Sequence, residues 1–339
     1  MISVEKWSAP GSLLVAGEYL VTEEGGGGIC LAAGGRATME KEPSTLTELH
    51  SVYAGKSRSW RPDGPAKNSL CYFVWEEGGN SNSRLEKGQR ITVNTSALYS
   101  FDGQKLGLGS SAVAALLFSR AISHVPDNLS IARSALLAHR KWQKGHGSGY
   151  DVLSSASGGA CCFTGGLSPS WESLGWPNLK YWLLRGPASM SSVQALRRYE
   201  AWKKKLGRHW FDIPLLADYH TCVLETISIL SLKPGAANRG AFLEKLHELA
   251  ALGSELGSAI NQESTPLMPA GFSKSKKPWH RPGIAAAKSL GAGNEIVLLA
   301  GLEDGFTRSE ELALEALHRA GRAFPLSIEI RGLSREFPG

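Results

Sequence analysis

The sequence lacks most of the devices that assign a function at a glance. Its five cysteines, Cys30, Cys71, Cys161, Cys162 and Cys222, form no CxxC pair among 339 residues. They offer no disulfide framework, so a reducing compartment is expected. The longest apolar windows, residues 112–118 and 296–300, fall far short of the ~20 residues that cross a bilayer. The opening MISVEKWSAPGSLLVAGEYL carries Glu5 and Lys6 before a short apolar run. It has no signal-peptide layout, and a cytoplasmic chain without membrane partners is expected. His139, His209, His220 and His247 show no metal-ligand spacing with cysteines or carboxylates. The GK[ST] ending of a Walker loop is missing too.

What is present reads as ordinary globular chemistry. Hydrophobic residues make up 42% and charged residues 20% of the chain, which excludes disorder and leaves room for a buried core. The net charge of +6 admits anionic partners such as phosphorylated small molecules. The densest basic block, Arg197, Arg198, Lys203, Lys204, Lys205 and Arg208, reads as a solvated helix face, with Tyr199 and Trp202 spaced for packing. No nucleic-acid motif accompanies it, so no nucleic-acid partner is expected.

Strands dominate the first half of the pattern and helices the second, which points to α+β. SLLVAGEYLV, RITVNTSALYS, LKYWLLR and GNEIVLLAGL read as strands. Residues 110–123, about 130–144, and the segment SEELALEALHRAG read as helices, the second with Asn128 or Ser130 as its cap. The stretch around residue 175 reads as a Trp- and Pro-punctuated loop, and adjacent Cys161 and Cys162 as core. Gly25, Gly26, Gly27 and Gly28 fit a hairpin loop, because no helix follows them. A domain boundary is placed near residue 165, giving domains 1–165 and 166–339.

The stretch GQKLGLGSSAVAAL, residues 103–116, crowds small residues at the mouth of a helix. It formally satisfies G-x-G-x-x-A, but no strand precedes it and Asp127 lies in a Pro-Asp-Asn turn, so the dinucleotide reading is weak. Two readings of its backbone remain. Bare glycines and free first-turn N–H groups suit an anion, with the Ser110 and Ser111 hydroxyls serving phosphate or hydrated Mg²⁺. Alternatively, the loop is a flexible entry with a serine N-cap.

Further stretches resemble the GHMP kinases, the superfamily of galactokinase, homoserine kinase, mevalonate kinase and phosphomevalonate kinase. The first motif, APGKLxLxGEYxVL, is matched by Ala9-Pro10-Gly11-Ser12-Leu13-Leu14-Val15-Ala16-Gly17-Glu18-Tyr19-Leu20-Val21. The second, GLGSSAA, stands at residues 107–113, with Lys105 two positions ahead as in phosphomevalonate kinases. GSGxDV is matched by Gly147-Ser148-Gly149-Tyr150-Asp151-Val152, with Gly158 and Gly159 closing it. PASxSS is matched by Pro187-Ala188-Ser189-Met190-Ser191-Ser192. The resemblance is nearest to phosphomevalonate kinase. Two departures stand out. The first-motif lysine is Ser12, and the third motif, usually KPSGAGGGDC, appears as Lys288-Ser289-Leu290-Gly291-Ala292-Gly293-Asn294-Glu295.

The resemblance implies a two-domain fold, with a ribosomal-protein-S5-like N-terminal domain, a ferredoxin-like α/β C-terminal domain and the active site in the cleft between them. It implies ATP and Mg²⁺ as cofactors. ATP would lie over Gly107, Leu108, Gly109, Ser110, Ser111 and Ala112, with Ser111 or Ser110 near the metal. Asp151, Lys105 and Ser12 take the catalytic positions. Gly17, Glu18, Tyr19, His146, Ser148, Ser189, Ser191, Ser192, Gly291, Ala292 and Gly293 take substrate-binding ones. Asp151 could otherwise be a helix N-cap, and Ser189, Ser191 and Ser192 a cap of the following helix. Mevalonate kinases carry a metal-binding glutamate eleven residues before the aspartate; here that position is Arg140. A cation there suits an acceptor that is itself a phosphate, with Lys105, Lys144, His146, Arg185 and the basic loop 274–281 as further charge. The implied reaction is ATP-dependent phosphorylation of 5-phosphomevalonate by a monomer or homodimer. Mevalonate or another small alcohol as acceptor, and ligand binding without turnover, are the competing expectations.

Overall fold

The computed structural model describes residues 4–62, 67–79, 88–100, 102–123, 125–145, 147–186, 192–232, 236–262, 264–266, 272, 280–291 and 295–336. They form two compact units that are not single stretches of sequence. The first comprises Met1–Leu13, Leu31–Gly159 and Ile328–Gly339, the second Leu14–Cys30 and Ala160–Ser327. The chain changes unit after Leu13, Cys30, Gly159 and Ser327. The first motif is divided, with Ser12 in the first unit and Glu18 and Tyr19 in the second.

In chain order the first unit draws on β1 (Glu5–Ala16), β2 (Gly27–Pro43), β3 (Glu48–Tyr53), β4 (Lys56–Trp60), α1 (Leu70–Gly79), β5 (Gln89–Asn94), α2 (Ser110–Ile122), α3 (Asn128–Trp142) and α4 (Tyr150–Ser157). The second unit continues with β6 (Ala160–Thr164), β7 (Ser170–Leu174), β8 (Lys180–Arg185), α5 (Ser192–Leu206), α6 (Pro214–Ser231), α7 (Ala236–Ala259), β9 (His280–Arg281), β10 (Ala285–Leu290), β11 (Ile296–Gly301), α8 (Arg308–Arg319) and β12 (Ala323–Pro325). The chain then returns to the first unit as β13 (Ser334–Glu336). The α+β reading holds. The sequence pattern missed α1 and β7: α1 occupies the unassigned segment LCYFVWEEGG, and β7 pairs antiparallel with β6 where a loop was expected.

Strands of the first unit follow the order β13-β1-β2-β5-β3-β4, with β5 inserted parallel to β3. Helix α2 is apolar almost all round, so nearly every side chain from Ala112 to Ile122 is buried. It packs against α1, α3 and α4, which fixes the start of α2 beside the start of α4. Asp127 caps α3, its carboxylate accepting from the Leu129 and Ser130 N–H groups. Neither Asn128 nor Ser130 is the cap. Asn128 instead donates its amide to the Leu333 carbonyl at 2.9 Å.

The second unit holds an antiparallel sheet in the order β12-β8-β11-β10-β9. Both β10 and β11 are buried along their whole length. Ala285 and Ala287 join Leu184, Val297, Leu299 and Leu314 of α8 in one cluster. Period-2 alternation therefore sends Lys288 to the opposite face, where α7 packs on β10. The basic block falls on α5. Arg197, Arg198, Lys204, Lys205 and Arg208 are exposed while Tyr199 is fully buried, as expected. Lys203 is only half-buried and pairs with Glu23. None of the five cysteines forms a disulfide, and Cys161 is buried while Cys162 is partly exposed on successive strand positions. No helix among the described residues is long and apolar enough to cross a membrane.

Candidate functional site

Two helices of the first unit begin on bare glycine, and a buried serine joins them. Gly109 is the N-cap of α2 in the left-handed region, φ 66°, and supplies no capping side chain. The serine N-cap reading of this loop therefore fails, because both serines lie inside the helix. No side chain caps the first turn of α2; the Ala112 N–H donates to the Gly109 carbonyl at 2.9 Å, and the Ser110 and Ser111 N–H groups ahead of it are the ones an anion could take. A Cβ on Gly109 would stand 2.5 Å from Ser12 Oγ and 3.4 Å from Asp151 Cβ. One point of space is thus walled by the glycine turn, Ser12 and Asp151. Ser12 is fixed there by its N–H donating to the Leu108 carbonyl at 3.1 Å. Its side chain is 1% exposed and its hydroxyl has no hydrogen-bond partner.

Asp151 lies in the first turn of α4, whose N-cap is Gly149 at φ 88°. The aspartate is not the cap. It is a carboxylate within the turn, stabilised by the helix dipole and by the Val152 N–H donating to Oδ1 at 2.9 Å. Gly149 is required sterically, since a Cβ would sit 1.8 Å from Leu136 Cδ1. Arg140 holds the approach to α4. Its Nε donates to the Gly147 carbonyl at 2.9 Å and its Nη2 to the Ser148 carbonyl at 2.6 Å. These two donors serve the backbone ahead of α4. Ser148 enters through its carbonyl in the same clasp.

The side chain that reaches the serine motif is the preceding residue, His139. Its Nε2 is 3.1 Å from Ser111 Oγ, and its Nδ1 is 4.0 Å from Asp151 Oδ1. Burial pushes the imidazole pKa below its ordinary value, and the Asp151 carboxylate opposes that shift. Sequence reasoning missed His139 because it considered only metal-ligand spacing. The usable signal was a histidine twelve positions before the motif aspartate, next to the position compared with mevalonate kinases. Ser110 Oγ lies 3.3 Å from the Tyr99 hydroxyl. Lys105 is exposed and forms no ion pair among the described residues; its backbone bridges to Tyr99. Lys144 is exposed after α3, and Arg185, in the second unit, donates to the Gly321 carbonyl at 3.4 Å.

The remaining motif residues lie in the second unit. Glu18, Tyr19, Tyr219, Lys288, Ser289 and Gly291 line a small pocket together with apolar residues of α7. Lys288 is 2% exposed and donates to Glu18 Oε1 at 2.6 Å and to the Ser289 carbonyl at 2.9 Å. The Tyr219 hydroxyl donates to Glu18 Oε2 and accepts from the Gly17 N–H at 3.3 Å. Burial first, then the Glu18 carboxylate, push the Tyr219 phenol well above its usual pKa, so it stays a donor. Tyr19, at φ 69°, stacks on Tyr199 with ring centroids 5.1 Å apart. Gly291 has φ 73° and open space where a Cβ would stand. Lys288 was legible as a motif letter, but nothing in the sequence pointed to Tyr219 as its partner across Glu18. His146, Ser189, Ser191, Ala292 and Gly293 lie outside the described residues. Ser192 is the first residue of α5.

Among the described residues no group of three or more His, Cys, Asp or Glu could hold a metal by itself. Mg²⁺ carried on nucleotide phosphates needs only one or two protein oxygens. Ser111 Oγ, 3.1 Å from His139 Nε2, fits that need as an uncharged ligand, and the Asp151 carboxylate, which faces His139 Nδ1 at 4.0 Å, supplies negative charge near the same glycine turn.

No protein-family model matches the chain. Over 161 residues it is 32% identical to a phosphomevalonate kinase of Saccharolobus solfataricus. That match takes in 45% of this chain and 47% of the relative, about half of its length. The structure is similar to that of a Listeria innocua protein, with a TM-score of 0.77 at 18% identity over 98% of this chain and 99% of the other. It is also similar to Streptococcus pneumoniae phosphomevalonate kinase in complex with phosphomevalonate and AMPPNP, TM-score 0.71 at 15% identity, covering 98% and 99%. Methanococcus jannaschii mevalonate kinase gives a TM-score of 0.65 at 15% identity, covering 97% and 98%. The fold expected from the motifs, that of the GHMP kinases, is the fold of this chain.

Proposed function

We propose that the protein is a phosphotransferase that moves the γ-phosphate of ATP to a small phosphorylated acceptor, 5-phosphomevalonate, giving 5-diphosphomevalonate. The observation that carries the reading is the wall formed by the uncapped start of α2, Ser12 and Asp151 around Gly109. Phosphoryl transfer asks mainly for positioning and for neutralisation of charge. Bare N–H groups and the Ser110 hydroxyl hold the nucleotide phosphates. Ser111 would hold Mg²⁺, which would supply charge neutralisation when bound. The second pKa of a phosphate monoester is about 6, so the acceptor is already largely dianionic at neutral pH. Asp151 then orients the acceptor and balances a cation, and no proton need be abstracted. Lys105, exposed two residues ahead of the glycine turn, is the side chain assigned to the acceptor's charge.

The reading draws support from the partial match to phosphomevalonate kinase and from Lys105. A second reading, ligand binding with little turnover, draws on Ser12. Relatives place a lysine there, and loss of one such charge donor costs about 10²–10³ in rate. The test is ADP release measured with 5-phosphomevalonate, mevalonate and a panel of sugars, repeated for Lys105→Ala and, in single turnover, for Ser12→Lys. We expect 5-phosphomevalonate to be preferred, Lys105→Ala to weaken the acceptor more than ATP, and Ser12→Lys to raise the rate. Equal or better turnover of mevalonate would reverse the acceptor assignment. Brisk wild-type transfer impaired by Ser12→Lys would mean that another cation has replaced the lysine.

A further inference from the structure

His139 has no part in the phosphotransfer reading as stated, yet it contacts Ser111 with one ring nitrogen and faces Asp151 with the other. It is 1% exposed, and its ring stacks on Trp142 with centroids 5.7 Å apart. One nitrogen contacts Ser111 Oγ at 3.1 Å; the other faces Asp151 Oδ1 at 4.0 Å and has no hydrogen-bond partner. A neutral imidazole has one N–H and one bare nitrogen, so its two neighbours must be treated differently. With the proton on Nδ1, the N–H dipole points at the carboxylate, and Nε2 accepts from the Ser111 hydroxyl. With the proton on Nε2, a bare nitrogen confronts the carboxylate and the N–H occupies a lone pair of Ser111. Electrostatics favours the first arrangement.

We propose that His139 is a positioning residue whose Nε2 accepts the Ser111 hydroxyl hydrogen while Nδ1–H faces Asp151, so that Ser111 presents only lone pairs to a hydrated divalent cation. A hydroxyl has one hydrogen; once it is committed to Nε2, Ser111 can ligate a cation but cannot donate to a phosphate. The adjacent Ser110 differs, because its neighbour is the Tyr99 hydroxyl, which can itself be the donor. The two serines thus divide the work, Ser110 donating to phosphate oxygen and Ser111 ligating the cation. The inference rests on the phosphotransfer reading for the presence of that cation.

Two measurements test it. Long-range ¹⁵N correlation spectra of the wild type, without nucleotide or metal, report the His139 tautomer, and Nδ1–H is expected. An Nε2–H signal would overturn the proposal whatever the protein binds. Calorimetric ADP titrations with Mg²⁺ and with EDTA provide the second readout. Outer partners of metal ligands typically contribute 10–100-fold to metal affinity. His139→Leu should therefore lose about 10-fold or more of the ADP affinity seen with Mg²⁺ and none of that seen in EDTA. Ser111→Ala should do the same, with no further loss in the double variant. His139→Gln, whose carbonyl can accept from Ser111, should restore part of the Mg²⁺ dependence. Equal losses with and without Mg²⁺, or additive losses in the double variant, would reduce His139 to packing and overturn the proposal. If His139→Leu does not fold, the wild-type tautomer and the Gln variant decide. Failure of the wild type to bind ADP under either condition strikes the phosphotransfer reading itself. A wild type with Mg²⁺-dependent binding that His139→Leu retains overturns only the present inference.

Discussion

Gly109 makes one position carry two constraints. Its φ of 66° is left-handed, and the space where a Cβ would stand is taken by Ser12 Oγ at 2.5 Å. A non-glycine residue in that conformation costs roughly 1–2 kcal/mol before any clash. Any Cβ meets the clash as well, and a β-branched residue adds further carbons to it. We expect Gly109→Val to abolish nucleotide binding in calorimetry while circular dichroism shows the fold retained, because the added carbons fill the approach to the helix start. Unchanged affinity in a folded variant would make the loop a mere entry to α2. The alternation of glycine and serine was legible in the sequence, since small residues before an apolar run announce a bare helix start. That Ser12 and Asp151 face that start was not, because the three residues meet only through tertiary packing.

At the scale of elements, α3 sets where α4 begins. Arg140 near the end of α3 clasps the carbonyls of Gly147 and Ser148, just ahead of Gly149. A hydrogen bond to a charged group contributes about 1.5–3 kcal/mol. Arg140→Met should lower stability by about that amount in urea unfolding and speed amide exchange at the start of α4. Arg140→Lys should restore only part of it, because an ammonium lacks the planar fork. A variant with unchanged exchange and undiminished stability would show that the clasp is dispensable. The pattern of α3 was readable from its periodicity, but its partners were not. Asp127 rather than a neighbour caps it, and adjacent positions 139 and 140 point their chemistry at a serine hydroxyl and a backbone loop respectively. Helix periodicity gives spacing, while the rotation of a helix about its axis is set by what it packs on.

For the whole molecule, a long-range device is the buried pair between Glu18, just beyond β1, and Lys288 on β10, 270 residues apart in sequence. Both are nearly inaccessible, and Tyr219 satisfies the second carboxylate oxygen. Removing one member of a buried pair strands the other charge, typically at a cost of about 3–5 kcal/mol. Lys288→Met alone should therefore lower the denaturation midpoint sharply, and combining it with Glu18→Gln should recover much of the loss. A double variant as unstable as the single would show that Lys288 acts through packing and not through its charge.

The sequence by itself determined the class of fold, the order of most elements and the positions of the glycine turns. Those follow from local periodicity and from the few residues that tolerate left-handed backbone. Segments such as α1 and β7, whose short apolar runs carry no clear period, were left to the tertiary structure. So were the two non-contiguous units and the partners His139 and Tyr219. Hydrogen-bond partners and buried charges depend on which surfaces come together. That choice is made by the summed packing of α2, α3 and α4 in one unit and of β10, α6 and α7 in the other.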